Sequence, residues 1–337
     1  MYDDKKLTTT KVAKYGIELK EGTKLKPQRA YRESEETRKI IKDEVNKMLK
    51  DRVIRKSKSS YPLPVVIVGK KDGSKRFCID FKKLNKKTKI NGYPLPRMDD
   101  LLERFRKSRW FSTIDLASGY WQLEMEEKDK ELTAFICSQG LYEFNKMPFG
   151  LCNAPATFQR AMDEIFREYI DDFMNVYIDD ILIYSETFEE HLEHIEKVLK
   201  KLKEAKMMIK MKKYEWGKRN VEYLGHIVRN DGLKPSPSKI EKVKGIKEPK
   251  NKMDIRSFTM LCSYYRKFIK NFSKIAKPMT ELLKKDKEFI WEEKQQKSFE
   301  ELKNKLVNYP ILQHPNYEKE FLVITDASRI GLGAILA

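Results

Sequence analysis

The chain has 337 residues, 40% hydrophobic and 11% aromatic, enough apolar material for two or three cores and too much for wholesale disorder. Seventy Lys and Arg against 51 acids leave a net charge of +19, which points to a polyanionic partner, nucleic acid being the commonest. Four scattered cysteines without a CxxC pair exclude a zinc ribbon or a disulfide frame by their spacing, the charged start Met1–Lys6 lacks a secretion-signal core, and no run approaches the ~18 apolar residues of a membrane span.

Residues 1–35 are polar and basic and read as an extended arm. From Glu36 to Arg55 apolar residues recur at helical spacing. The β-branched run Val65–Val68, the basic turn Lys70-Lys-Asp-Gly-Ser-Lys-Arg76 and the run Phe77–Phe81 predict a hairpin with cations at its tip. A helix opens at Asp99-Asp100, where acids suit the positive helix N-terminus. Trp110–Asp115 reads as a strand ending in a carboxylate, Met147–Pro155 as a loop, and 156–169 as a helix. Thr187 and Glu190 form a capping-box signature before a helix with Leu192, Ile195, Leu199 and Leu202 on one face. Beyond Lys234-Pro-Ser-Pro237 come helical patterns at 238–245, 252–270, 273–285 and 295–307, then a strand–turn–strand from Phe321 to Ala337.

Two strand-like runs, Val176–Ile178 and Ile181–Tyr184, flank the pair Asp179-Asp180 at hairpin spacing. Adjacent carboxylates there repel by roughly 4 kcal/mol at ~4 Å and an effective dielectric near 20. A divalent cation would remove that repulsion, and hard cations such as Mg2+ favour carboxylate oxygens; a solvated acidic turn is the alternative reading. Asp115, at the end of another hydrophobic strand, offers a third carboxylate, followed by the compact Leu116-Ala-Ser-Gly119 that lets phosphate approach the backbone. Three such acids can hold two Mg2+ ions for phosphoryl transfer, with Arg76 suited to a bidentate phosphate contact. Asp3-Asp4, Asp99-Asp100 and Asp171-Asp172 lack that setting, and His191 and His194 read as the polar face of a helix.

The runs Lys70–Arg76, Asp80–Asn85, Tyr93–Arg97, Phe111–Gln122, Met147–Gln159, Tyr177–Asp180 and Tyr223–His226 occur in an order that resembles the reverse transcriptases of gypsy-type LTR retrotransposons, the Metaviridae group. The resemblance implies an α+β, right-hand polymerase of fingers, palm and thumb, followed by the truncated start of an RNase H-like domain. It divides the chain into an arm (1–30), fingers (31–92 and 123–153), palm (93–122 and 154–235), thumb (236–290), and a linker helix with the RNase H-like start (291–337). Asp115, Asp179 and Asp180 match the family's metal-binding acids, for two Mg2+ ions or Mn2+ in their place. Lys70, Lys71, Arg76, Leu116, Tyr120 and Phe149 fall at the dNTP site, Tyr120 as the aromatic that excludes the ribose 2′-hydroxyl. Leu224, Gly225 and His226 resemble the primer grip. Phe258–Phe268 resembles the thumb helix against the duplex, with aromatics packing the thumb core as the alternative.

Asp326 matches the first RNase H acid; the others lie beyond Ala337, so RNase H activity is not expected from this chain, read as part of a longer polyprotein or a truncated copy. The implied partners are dNTPs and an RNA or DNA template–primer duplex, with no membrane and a homodimer left open. The implied location is the cytoplasm, in a virus-like particle, or the nucleus. An RNA- and DNA-directed DNA polymerase is the reading adopted; an inactive remnant that only binds nucleic acid, and an RNA-dependent RNA polymerase, are the competitors.

Overall fold

The β-branched residues that predict a hairpin build one: Leu63–Gly69 pairs antiparallel with Lys75–Ile79, from Val65 opposite Ile79 to Gly69 opposite Lys75. Pro64, which cannot donate to a ladder, sits at the start of its strand. The computed structural model describes residues 8–69, 73, 75–102, 104–105, 107–210, 214–308, 322–328 and 331–336, side chains omitted for residue 324 and from 326 onward. The hairpin belongs to a five-stranded sheet in the order Ile54–Lys56, Gly140–Phe144, Phe135–Cys137, Leu63–Gly69, Lys75–Ile79. Helix Glu35–Lys50 is capped by Ser34 and buries Ile41, Val45 and Met48. It ends before Arg55, because Ile54–Lys56 is taken as a strand against Phe144, Glu143 and Tyr142.

A second sheet has the order Glu215–Lys218, Trp110–Asp115, Asp180–Ser185, Met174–Tyr177, all antiparallel. Its core residues Phe111, Ile114, Ile181 and Ile183 are at most 2% exposed, as strands covered by helices require. Helix Ala154–Phe166 buries Phe158, Met162 and Phe166. Helix Phe188–Glu204 carries the predicted capping box, Glu190 N donating to Thr187 Oγ1 and Thr187 N to Glu190 Oε2. Its buried face is rotated from the expected one: His191, Val198 and Leu202 point inward and Leu192 is exposed.

The arm is extended but not peripheral. Lys14–Tyr15 pairs parallel with Glu124–Met125, and Tyr15 and Ile17 enter the core. Apolar residues too sparse to show periodicity can still dock singly into a surface built by later segments.

The contacts divide the chain into two units, Met1–Arg97 with Trp110–Lys218, and Met98–Arg109 with Arg219–Ala337. In the second, strands Asn220–Tyr223, His226–Arg229 and Gly232–Pro235 form a meander. Helices Pro237–Lys244, Lys252–Tyr264, Phe272–Glu281 and Glu293–Val307 follow, with Ile255, Phe258, Phe299, Leu302 and Leu306 at their core. The helix expected to run to residue 270 closes at Tyr264 and continues as a short 3-10 turn, Arg266–Phe268. A hairpin of Val323–Ser328 and Gly331–Leu336 sets Asp326 opposite Gly333.

Candidate active site

The hairpin between Met174–Tyr177 and Asp180–Ser185 turns on Ile178 and Asp179, one residue earlier than the acids alone suggest, because Asp180 already pairs with Tyr177. On its other side Asp180 stands opposite Asp115, the last residue of its own strand. Ile178 has φ 57°, a conformation that costs a β-branched residue about 1–2 kcal/mol. The fully buried Gln159 supports it. Its Oε1 accepts from Ile178 N at 2.7 Å, and its Nε2 donates to Asp163 Oδ1 at 2.8 Å and to Val176 O at 3.2 Å. Asp163 Oδ2 in turn accepts from the Tyr93 hydroxyl at 2.5 Å.

Asp115 is fixed through its backbone, its carbonyl accepting from Lys210 N at 2.9 Å. The segment after it is tied to 208–209: Leu116 bridges Ile209, and buried Gln122 accepts from Met208 N and donates to the carbonyls of Ala117 and Met208. Leu116 is 2% exposed, so only its backbone can serve a ligand. Ser118 takes φ 50° and opens the 3-10 turn Gly119–Gln122. A Cβ on Gly119 would lie 3.2 Å from Asp179 Cβ and 3.4 Å from Phe158 Cζ. The turn acid therefore rests directly on this glycine.

Tyr120 packs at a tilt against Phe149 at 5.0 Å and Phe158 at 5.5 Å between ring centres. Burial, then the nearby Asp179 and Tyr177, push its hydroxyl up to about 12, so the phenol is neutral at any ordinary pH. Phe149 is 53% exposed despite its ring contacts, leaving an aromatic face toward solvent beside the acids. Arg76 is exposed at the hairpin end, opposite Val68. Lys70 and Lys71 lie outside the described residues.

Among the described residues no three His, Cys, Asp or Glu side chains converge as a ready ligand group. The strand ends nevertheless set Asp115 and Asp180 in register with Asp179 in the adjoining turn. This all-carboxylate donor set suits a hard cation that keeps places for phosphate oxygens.

His191 is not the polar residue the sequence suggested. It is fully buried, its Nε2 2.7 Å from Ser112 Oγ and its Nδ1 2.8 Å from Ser185 Oγ, which also lies 2.8 Å from His194 Nδ1. Burial, then the neighbouring His194, pull it down to about 4. Asp99 and Asp100 open a helix as expected, and Asp171-Asp172 lies in an exposed turn.

In the second unit Leu224 (φ 45°) and Gly225 (φ 72°) form the two-residue turn between the paired Tyr223 and His226. Positive φ at both central positions is the type I′ pattern, which favours glycine and strains leucine. His226 is 2% exposed among Tyr264, Tyr265 and Phe268, with ring centres 5.3–5.8 Å away. Its Nδ1 lies 3.0 Å from Leu224 O, and burial, then Lys267, hold the ring down at about 4, so Nδ1–H donates from a neutral imidazole.

Residues 68–228 match the reverse transcriptase (RNA-dependent DNA polymerase) family, and residues 291–337 match the RNase H-like domain found in reverse transcriptase. The chain is 40% identical over 303 residues to the retrovirus-related Pol polyprotein from transposon 297 of Drosophila melanogaster, covering 88% of this chain and 29% of that protein. It is 40% identical over 316 residues to the Pol polyprotein from transposon gypsy of the same fly, covering 88% and 30%. The chain thus spans under a third of these relatives' length. The foamy viral protease-reverse transcriptase solved with double-stranded DNA superposes with a TM-score of 0.86 at 26% identity, over 96% of this chain and 57% of that one. The fold and this kinship agree: residues 68–228 are a domain of the reverse transcriptase family, in a chain similar to the gypsy-type retrotransposon Pol polyproteins.

Proposed function

We propose that this chain is an RNA- and DNA-directed DNA polymerase that joins dNTPs to a primer 3′-hydroxyl on a template strand. The observation that carries the reading is the register of Asp180 with Asp115, with Asp179 seated on Gly119 beside Tyr120 and Phe149. Asp115, Asp179 and Asp180 would hold the divalent cations, Mg2+ or Mn2+. Bound there, the ions supply activation of the primer hydroxyl and neutralisation of the pyrophosphate. The protein's own work is positioning. Gly119 gives space to the turn acid, and Gln159 holds the strained turn that carries it. The neutral Tyr120 ring, wedged against Phe149 and Phe158, forms a wall where a 2′-hydroxyl would clash. Arg76, with Lys70 and Lys71, would meet the triphosphate, and Leu224–His226 would hold the primer end.

The boundaries follow the same reading: fingers 31–92 and 123–153, palm 93–122 and 154–235, thumb 236–290. A duplex partner fits the charge of +19 and the double-stranded DNA in the related foamy viral structure. Primer extension on an RNA template with Mg2+ or Mn2+ tests the activity. Asp179→Asn is expected to lower it by ~10²–10³-fold, the scale of removing a principal electrostatic group; extension that survives this change would remove the site. A folded, template-binding wild type without extension would favour the inactive remnant. Equal incorporation of ribo- and deoxyribonucleotides would overturn the role of Tyr120 and favour an RNA polymerase.

A further inference from the structure

Both carbonyls of the Leu224–Gly225 turn are held from the following helix. The Tyr264 hydroxyl donates to Leu224 O at 2.7 Å and the Tyr265 hydroxyl to Gly225 O at 2.9 Å. Each carbonyl has a second partner, His226 Nδ1 at 3.0 Å on Leu224 O and Ser236 N at 3.0 Å on Gly225 O. A carbonyl has two lone pairs, so the protein uses the full accepting capacity of this turn. The tyrosines are consecutive at the end of helix Lys252–Tyr264, and their rings meet edge to face at 4.8 Å. A Cβ on Gly225 would stand 3.3 Å from the Tyr265 hydroxyl and 3.8 Å from that of Tyr264.

A two-residue turn needs no such bracing for stability, since its flanking strands are already paired. A leucine at φ 45° also relaxes readily if nothing restrains it. Four hydrogen bonds on two carbonyls fix the turn's position as well as its conformation. Tyr265 is fully buried and cannot be a surface contact, whereas Tyr264 is 39% exposed.

We propose that Tyr264 and Tyr265 are positioning residues that lock the Leu224–Gly225 turn, so that this helix sets where the turn holds the primer end. The inference rests on the reading of Leu224–His226 as the primer-holding element. It makes the helix a determinant of the nucleotide-addition rate, apart from any contact the helix makes with the duplex.

The test uses the full chain with Tyr264→Phe, Tyr265→Phe, both together, and Gly225→Val as a variant that distorts the turn directly. Pre-assembled template–primer complexes are mixed with saturating dNTP and single-nucleotide addition is timed; template–primer Kd and Tm are measured in parallel. Phenylalanine keeps the rings and removes only the hydroxyls. The expected result is a fall of about tenfold in the addition rate of the double variant, the scale of a misplaced reacting group. Kd should stay within about twofold and the dNTP concentration for half-maximal rate should be little changed, because both hydroxyls are engaged by the turn's own carbonyls. A merely structural role would lower Tm and leave the addition rate of the folded fraction intact. Gly225→Val is expected to slow addition at least as much. If Gly225→Val slows addition while the double phenylalanine variant matches wild type, the turn holds the primer and the tyrosine lock is wrong. If neither changes addition, the primer-holding reading itself falls, and the inference with it.

Discussion

Replacing Gln159 with leucine tests whether the Ile178–Asp179 turn is held by this side chain or only by its strands. Leucine matches the volume and keeps the core filled, so the loss is confined to hydrogen bonds. Gln159 makes three, to Ile178 N, Val176 O and Asp163 Oδ1, and its side chain is fully buried. At about 1 kcal/mol net for each bond, less the backbone strain that Ile178 can then relieve, the expected destabilisation is ~2–3 kcal/mol. In a chain of this length that is a fall in Tm of about 5–10 °C. The effect on rate should be larger than the effect on stability. Without its acceptor, Ile178 can leave φ 57° and recover about 1–2 kcal/mol of backbone strain. Any such movement carries Asp179 off Gly119, and a shift of ~1 Å at a reacting group costs about 10²-fold. The assay is single-nucleotide addition from preformed complexes at saturating dNTP, beside thermal melting. Ile178→Gly adds an internal check, because glycine occupies φ 57° without strain and should return part of the lost Tm in the leucine background. A Gln159→Leu enzyme with wild-type rate and melting would refute the claim that Gln159 holds the turn.

Gly119→Ala introduces a Cβ 3.2 Å from Asp179 Cβ and 3.4 Å from Phe158 Cζ; the crowding should destabilise by about 1–3 kcal/mol and slow addition at least ~10-fold, read by melting and single-turnover kinetics. The folded pKa values of His191 and His226, lowered from 6.5 to about 4, mean that the unfolded chain takes up protons first on acidification. Stability should therefore be intact above pH 6.5 and decline as pH falls from there toward 4; denaturant melts across that range should show a shallower acid limb in His226→Phe. Tyr120, raised from 10.0 to about 12, gives the opposite limb, with stability present below pH 10 and lost as pH rises toward 12. Its ionisation should leave extension rates unchanged between pH 7 and 9. Template–primer binding should weaken steeply with salt, with log Kd linear in log salt concentration at a slope of about 0.9 for each phosphate neutralised; a flat dependence would contradict the nucleic-acid partner read from the charge of +19.

Much of the acidic hairpin is legible because its information is local. β-Branched runs either side of the acids specify strands wherever they occur, and a strand ending at Asp115 needs only the pattern Trp110–Ile114. The position of the turn was not legible: acids suggest a tip, yet ladder pairing draws Asp180 into the strand and leaves Ile178 in a conformation that propensity disfavours. Gln159 escaped notice as a functional residue because a polar side chain on a helix usually faces water, and only the assembled sheet supplies its partners. His191 misled for the same reason, its partners Ser112 and Ser185 lying on two different strands. The tie between the Leu224 turn and Tyr264 spans 40 positions in sequence, beyond the reach of any periodicity.

The docked arm sets a limit on where this chain can be trimmed. Thr10 N donates to Gln122 O, Ile17 N to Asp129 Oδ2, and Lys14–Tyr15 runs as a strand beside Glu124–Met125. These partners end or follow the 3-10 turn Gly119–Gln122 on which Asp179 rests, so the segment braces that turn. A proteolytic cut ahead of Thr8 leaves that brace whole. A cut past Tyr15 removes a fully buried ring and opens a slot in the core more than a hundred residues away in sequence. Loss of the stretch from Thr10 to Ile17 is therefore expected to lower the stability of the unit it packs into, read as a fall in Tm.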